Sequence, residues 1–161
     1  MKLLFSIFYV LFSFSNPDIS EVRKLYPNAA NSEVTSKGFL LKLSDVTYES
    51  NKILVAYKGS AITISAKFQK KISDKIKSFK EGAKLVEFAI ESEPNNIEIR
   101  LIRLSIQENI PKIVKYNKNQ KEDVVFILAH YSEQSNALRT YLKTFILQSR
   151  SFSSDEKQTM K

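Results

Sequence analysis

Apolar side chains recur along this chain at intervals of three and four residues, the spacing of a helix face, in one segment after another. Ile19, Val22, Leu25 and Tyr26 define a short first helix behind Asp18, ended by Pro27-Asn28. Asn31-Ser32 caps a second that runs through Phe39-Leu40-Leu41 to about Ser44. The third, about Lys52 to Lys67, is unusual: between Ile53 and Ala66 its only charge is Lys58. Tyr57, Ala61, Ile64 and Phe68 share one stripe, while Ala56, Gly59, Ser60, Ala61, Ser65 and Ala66 are all small. A helix apolar nearly all round is buried nearly all round, and its small residues let a neighbouring backbone come close.

Ser73-Asp74 caps a fourth helix reaching Glu91, with Phe79, Ala83, Val86 and Ile90 inward and Lys77, Lys80, Lys84, Glu87 and Glu91 outward. Glu87 and Glu91, one turn apart among lysines, read as a solvated surface rather than an acid–base pair. The turn Glu93-Pro94-Asn95-Asn96 precedes a fifth helix, Ile97 to Glu108, in which Asn95 and Glu98 have the spacing of a capping box. Ile97, Leu101 and Leu104 form one apolar stripe of this helix and Ile99, Ile102 and Ile106 an opposed one, so it belongs between neighbours on both sides. Arg100, Arg103 and Gln107 then project into one narrow polar seam. After a basic connector, Lys112 to Asn119, Glu122-Asp123 opens a sixth helix whose VVFILA run is apolar on every side; Ala137, Leu138, Tyr141, Leu142 and Phe145 pattern a last one.

Composition supports the same picture. A chain of 161 residues suits one domain. With 43% hydrophobic residues it is too apolar for a disordered chain, and three glycines and four prolines are too few for a barrel or sandwich of many strands. The expectation is an all-α, irregular antiparallel bundle of about six to seven helices. VVFIL alone would suit a buried strand equally well, but no second strand pattern exists to pair with it.

The first fifteen residues have their own signature. Met1-Lys2 precedes an uncharged apolar run, Leu3 to Phe14, then Ser13 and Ser15 as small residues and the turn Asn16-Pro17-Asp18. This is the layout of a secretory signal peptide cleaved after Ser15, and the run is too short for a bilayer span of about 20 residues. The expected organisation is a signal peptide over 1–15, a helical domain over 16–150 and a polar, frayed tail over 151–161, exported to the periplasm or the medium. Without cysteine, such a protein relies on helix packing rather than disulfides.

The stretch Lys80 to Asn96 (KEGAKLVEFAIESEPNN) resembles the second helix and exit turn of a tetratricopeptide repeat. Ala89 and Pro94 keep that repeat's spacing, Gly82 and Val86 match its small and bulky positions, and Tyr57, Gly59 and Ala61 resemble its partner helix. The likeness is to a degenerate repeat, since the glycine and tyrosine of a following unit are missing after Ile97. The helix order and the phrase NNIEIR-x-x-RLSIQEN-x-P, Asn95 to Pro111, are also similar to uncharacterised small exported helical proteins of Bacteroidetes. The repeat resemblance implies antiparallel helix pairs with a surface for proteins or peptides; the second implies no activity.

Few residues carry chemistry. Arg100, Arg103, Gln107 and the sole histidine, His130, are the ligand-anchor candidates. Guanidinium groups flanked by apolar stripes need partners, and Glu108, Glu122, Asp123 and Glu87 are the internal ones; a ligand carboxylate, gripped bidentately, is the other. His130 lines up with Asp123 two turns earlier, about 10 Å away, too far for a direct bond. The net charge of +8 is what lysines scattered over solvated helix faces give, and its densest runs supply a basic patch of Lys67, Lys70, Lys71, Lys112 and Lys115. Such a patch permits polyanion binding, but charge by itself is a poor guide and an exported protein rarely meets nucleic acid. No catalytic residue, metal site or cofactor is expected. The first expectation is therefore a non-enzymatic helical module that binds protein or peptide, with no integral span in its mature chain. The alternative is a small-ligand binder or enzyme built on the Arg100/Arg103 seam near His130.

Overall fold

The structure, a computed structural model, describes residues 16–111 and 114–160. The signal-peptide expectation over 1–15 and the basic-patch residue Lys112 therefore lie outside the described residues. The fold is an all-α helical bundle. Among the described residues it consists of α1 (Ile19–Leu25), α2 (Glu33–Lys42), α3 (Lys52–Ala66), α4 (Ile72–Ser92), α5 (Ile97–Asn109), α6 (Gln120–His130), α7 (Asn136–Gln148) and α8 (Ser154–Gln158), with short 3-10 turns after α1 and α6. None of these helices is long and apolar enough to cross a membrane.

Local chemistry sets most of the starts. Asp18 accepts from the backbone N–H groups of Ser20 and Glu21, Ser32 from Thr35, Asn51 from Ile53 and Ser135 from Leu138. Two expected caps move. Helix α4 begins at Ile72, with Ser73 and Asp74 inside its first turn, and its N-cap Lys71 makes no side-chain cap bond. Helix α5 is capped by Asn96 rather than Asn95, so Glu98 closes no capping box.

The most extensive packing joins α3 and α4 as an antiparallel hairpin. It depends on two glycines. A Cβ added to Gly59 would lie 2.6 Å from the carbonyl oxygen of Gly82 and 2.8 Å from a Val86 methyl. One added to Gly82 would collide with the carbonyl of Gly59 and the side chain of Thr63. Backbone meets backbone there, leaving no flexible side chain to give way. The one charge within α3 beyond its first residue, Lys58, reaches past the core and donates to the carbonyls of Ser44 at 2.8 Å and Val46 at 2.5 Å, closing the turn after α2.

Helix α5 is the centre of the bundle, buried from Ile97 through Gln107. Its two apolar stripes enter different cores. Ile99, Ile102 and Ile106 pack with α1, α2, α3 and α4 around Tyr57, Phe39 and Val86. Ile97, Leu101 and Leu104 pack with Ile127, Leu142, Ile146 and Phe152.

Two further expectations are corrected. The VVFILA run is not buried all round: Val124 and Ile127 are buried against α5 and α7, whereas Val125, on the other face, is 59% exposed. The stretch after Ser151, expected to fray, contains α8 with a Ser153–Glu156 capping box and places Phe152 in the second core.

Candidate functional site

The arginines of α5 point into a closed charge network between α4, α5 and α6. Arg103 grips Asp123 bidentately, Nε to Oδ2 at 2.7 Å and Nη2 to Oδ1 at 2.6 Å, and its Nη1 reaches Glu87 at 3.2 Å. Arg100 donates from Nη1 to Glu122 at 2.8 Å and to Asp123 at 3.0 Å, and from Nε to the carbonyl of Pro94 at 2.7 Å. Its guanidinium also lies over the Phe126 ring, 4.2 Å from the centroid. The phenol of Tyr116 closes the far side, donating to Glu87 at 2.5 Å. Glu87, expected on a solvated surface, is instead partly buried between two donors; Glu108 joins Ser149 and Ser151 elsewhere.

Geometry pairs the network internally, while burial and pairing pull its central charges in opposite directions. The Asp123 side chain has no solvent exposure and that of Arg103 only 4%. Burial opposes the charge on Arg103, but the hydrogen bond and attraction of Asp123, with Glu87 behind, hold its pKa above the ordinary value. Burial pushes the Asp123 carboxyl above its usual range, against the pull of both guanidinium groups. The hydrogen bonds from Arg100 and Asn119 lower Glu122. Burial, reinforced by Glu87, raises Tyr116.

The other candidates fall outside this network. Gln107 is buried beside it in sequence register, yet neither polar atom of its side chain has a hydrogen-bond partner among the described residues. His130 accompanies Arg100 only in sharing Phe126, whose ring lies 4.3 Å from the imidazole. Its Nδ1 pairs with Glu133 at 2.8 Å on the surface, not with Asp123. Of the basic patch, Lys67, Lys70, Lys71 and Lys115 are exposed, and the ring of Tyr116 against Phe79, 5.5 Å between centroids, brings the connector to the flank of α4.

Sequence reading missed a second polar seam, on the opposite face of α5. Glu98, one of the most deeply buried side chains, accepts from Arg23 Nε and Nη2, each at 2.6 Å, and from the Tyr57 hydroxyl at 2.7 Å. Tyr57 lies 3.1 Å from the Tyr141 hydroxyl, and two turns along α5 Tyr26 bonds Ser105. The Glu98 hydrogen bond raises Arg23, and burial raises Tyr57, Tyr141 and Tyr26, the last to about 12. The available signal was Glu98 and Ser105, polar residues seven apart and facing away from Arg100 and Arg103.

Neither of two surface depressions includes Arg100, Arg103, Gln107 or His130. One lies at Glu93–Asn96; the other, of about 560 Å³, runs along α7 and is lined by Tyr131, Asn136, Arg139, Thr140, Lys143, Thr144 and Leu147. No group of three acidic or histidine side chains among the described residues could hold a metal ion. Comparison with protein-family models, curated proteins and solved structures finds no match to this chain.

Proposed function

We propose that this chain is an exported, non-enzymatic helical module, tetratricopeptide-like in its α3–α4 pair, that binds a protein or peptide in the cell envelope. The observation that carries the reading is the pairing of both Arg100 and Arg103 with internal acceptors, Glu87, Glu122, Asp123 and a backbone carbonyl. With those donors committed, the seam has no free guanidinium for a ligand carboxylate, and His130 faces elsewhere. A binding role then falls to the surface. The α7 depression offers Arg139 and Lys143 for acidic groups, the hydroxyl oxygens of Thr140 and Thr144, whose protons go to helix carbonyls, as acceptors for backbone N–H, and Leu147 for an apolar side chain. The close Gly59–Gly82 contact supports the repeat-like pair. The apolar run Leu3 to Phe14, followed by Ser15 and Asn16, supports export.

Two measurements on one cell fractionation test this. Terminal sequencing of the recovered protein is expected to give a start at Asn16 in the extracytoplasmic fraction. A photo-crosslinking residue at Thr140 is expected to give a discrete protein adduct that one at Lys84, on the outer face of α4, does not. An intact Met1 in the cytosol removes the export half of the proposal. Equal labelling from both positions removes the binding half.

A further inference from the structure

Among the described residues, the inward stripe of α4 begins exposed, before the stretch that packs on α3. Ile72, Ile76, Phe79, Ala83 and Val86 follow one another at helical spacing, and from Ala83 onward the stripe is buried. Gly59 opposite Gly82 fixes the hairpin register, so α3, which ends at Ala66, runs out where the first turns of α4 begin. Ile72 is consequently 74% exposed and Ile76 51%. Exposing two isoleucines on adjacent turns of one face forgoes burial that a polar residue at either place would not.

The surroundings of these isoleucines are cationic. Between residues 67 and 80 stand Lys67, Lys70, Lys71, Lys75, Lys77 and Lys80 against the single carboxylate Asp74. Among the described residues none of the six is within ion-pair distance of a carboxylate. The Tyr116–Phe79 contact then adds Val114, 40% exposed, and Lys115 from a connector more than thirty residues away in sequence. Lys115 itself has a φ of 55°, the left-handed conformation, at the point where the chain turns along this flank.

From this juxtaposition we propose that the Ile72/Ile76 end of the α3–α4 hairpin docks on an anionic lipid surface. Lysines spread around bare aliphatic side chains are the arrangement of an interfacial helix. The apolar groups enter the boundary between headgroups and chains, and the long lysine stems keep their ammonium groups at the phosphates. A nucleic acid would draw on the lysines but give the isoleucines nothing to stack on or enter. A second copy of the chain would set one ring of lysines against another. The site is independent of the α7 depression and does not rest on the peptide-binding reading.

The test is sedimentation of the full chain with vesicles of phosphatidylcholine alone and with added phosphatidylglycerol. Binding is expected only to the second kind, falling steeply with salt. Replacing Lys70, Lys71 and Lys77 together with Gln is expected to weaken it about 100-fold, at roughly five-fold for each charge. Ile72→Ser with Ile76→Ser is expected to weaken it about ten-fold at every salt concentration, with unchanged thermal unfolding because both side chains are exposed. Equal binding to both vesicle types overturns the proposal. So does full binding by the isoleucine variant, or displacement by duplex DNA at lower phosphate concentration than vesicles require.

Discussion

On one face of α5 a lone carboxylate, Glu98, is met by one arginine and a tyrosine hydroxyl; on the opposite face two arginines meet three carboxylates. Both seams run between the same two apolar cores, yet they differ in their outlet to water. Arg23 is 24% exposed, so the Glu98 seam can shed its counter-charge into solvent. Arg103 and Asp123 are themselves enclosed, and their seam meets water only through its outer carboxylates, Glu122 and Glu87. Desolvation of an ion pair is costly whether or not attraction repays it, but removing one partner from an enclosed pair leaves a charge with nowhere to go. The enclosed seam is therefore the more fragile of the two, although it holds more hydrogen bonds.

That difference can be broken from its stronger side first. Asp123→Ala takes from Arg103 its bidentate partner, leaving Glu87 at 3.2 Å and Glu122 at 4.0 Å, and is expected to destabilise the protein by about 3–5 kcal/mol in urea unfolding. Glu98→Gln keeps the shape and an acceptor, and it frees Arg23 to turn outward. The expected loss is about 2 kcal/mol, that of a hydrogen bond to a charged group. If Glu98→Gln proves the costlier, exposure of the counter-charge is not what separates the seams.

Alkaline titration separates them in the opposite order. Tyr26, Tyr57 and Tyr141 belong to the Glu98 side and Tyr116 to the arginine side; burial holds all four phenols above the ordinary value of 10.0. The folded state binds these protons more tightly than the unfolded chain. Their contribution is therefore complete below pH 10.0 and is lost as pH rises through the folded values, the first of them near 12 for Tyr26. Tyrosinate absorbance is expected to rise together with loss of helical circular dichroism. Tyr57→Phe should move that alkaline midpoint more than Tyr116→Phe. Phenolate formation well below unfolding would contradict the assignment of these hydroxyls to buried seams.

What the sequence made legible followed from periodicity. The opposed stripes of α5 are two sets of isoleucine and leucine at helical spacing, and they dictate a helix with a core on each side. The Arg100/Arg103 seam follows from the same wheel, and three of its four candidate carboxylates do meet it. The Glu98 seam was hidden because Asn95 and Glu98 imitate a capping box; a cap one residue later, at Asn96, releases Glu98 to find Arg23 in α1. A partner 75 residues away leaves no mark in local spacing. Hydropathy was also blind to which side of VVFILA would be covered, since apolar residues on both sides of a helix do not say where the neighbours stop. Gln107 shares the wheel position of the arginines but none of their bonds.

The claim on which the rest depends is that the α5 arginines are spent inside the fold. It is tested most directly by a double-mutant cycle on Arg103 and Asp123, each replaced by Leu singly and together, with stability read from urea unfolding. A strong favourable coupling of about 2–3 kcal/mol is expected, the doubly substituted protein being far less damaged than the sum of the single losses. Additive effects with a coupling near zero would contradict it, and would return Arg103 to the list of residues free to hold a ligand.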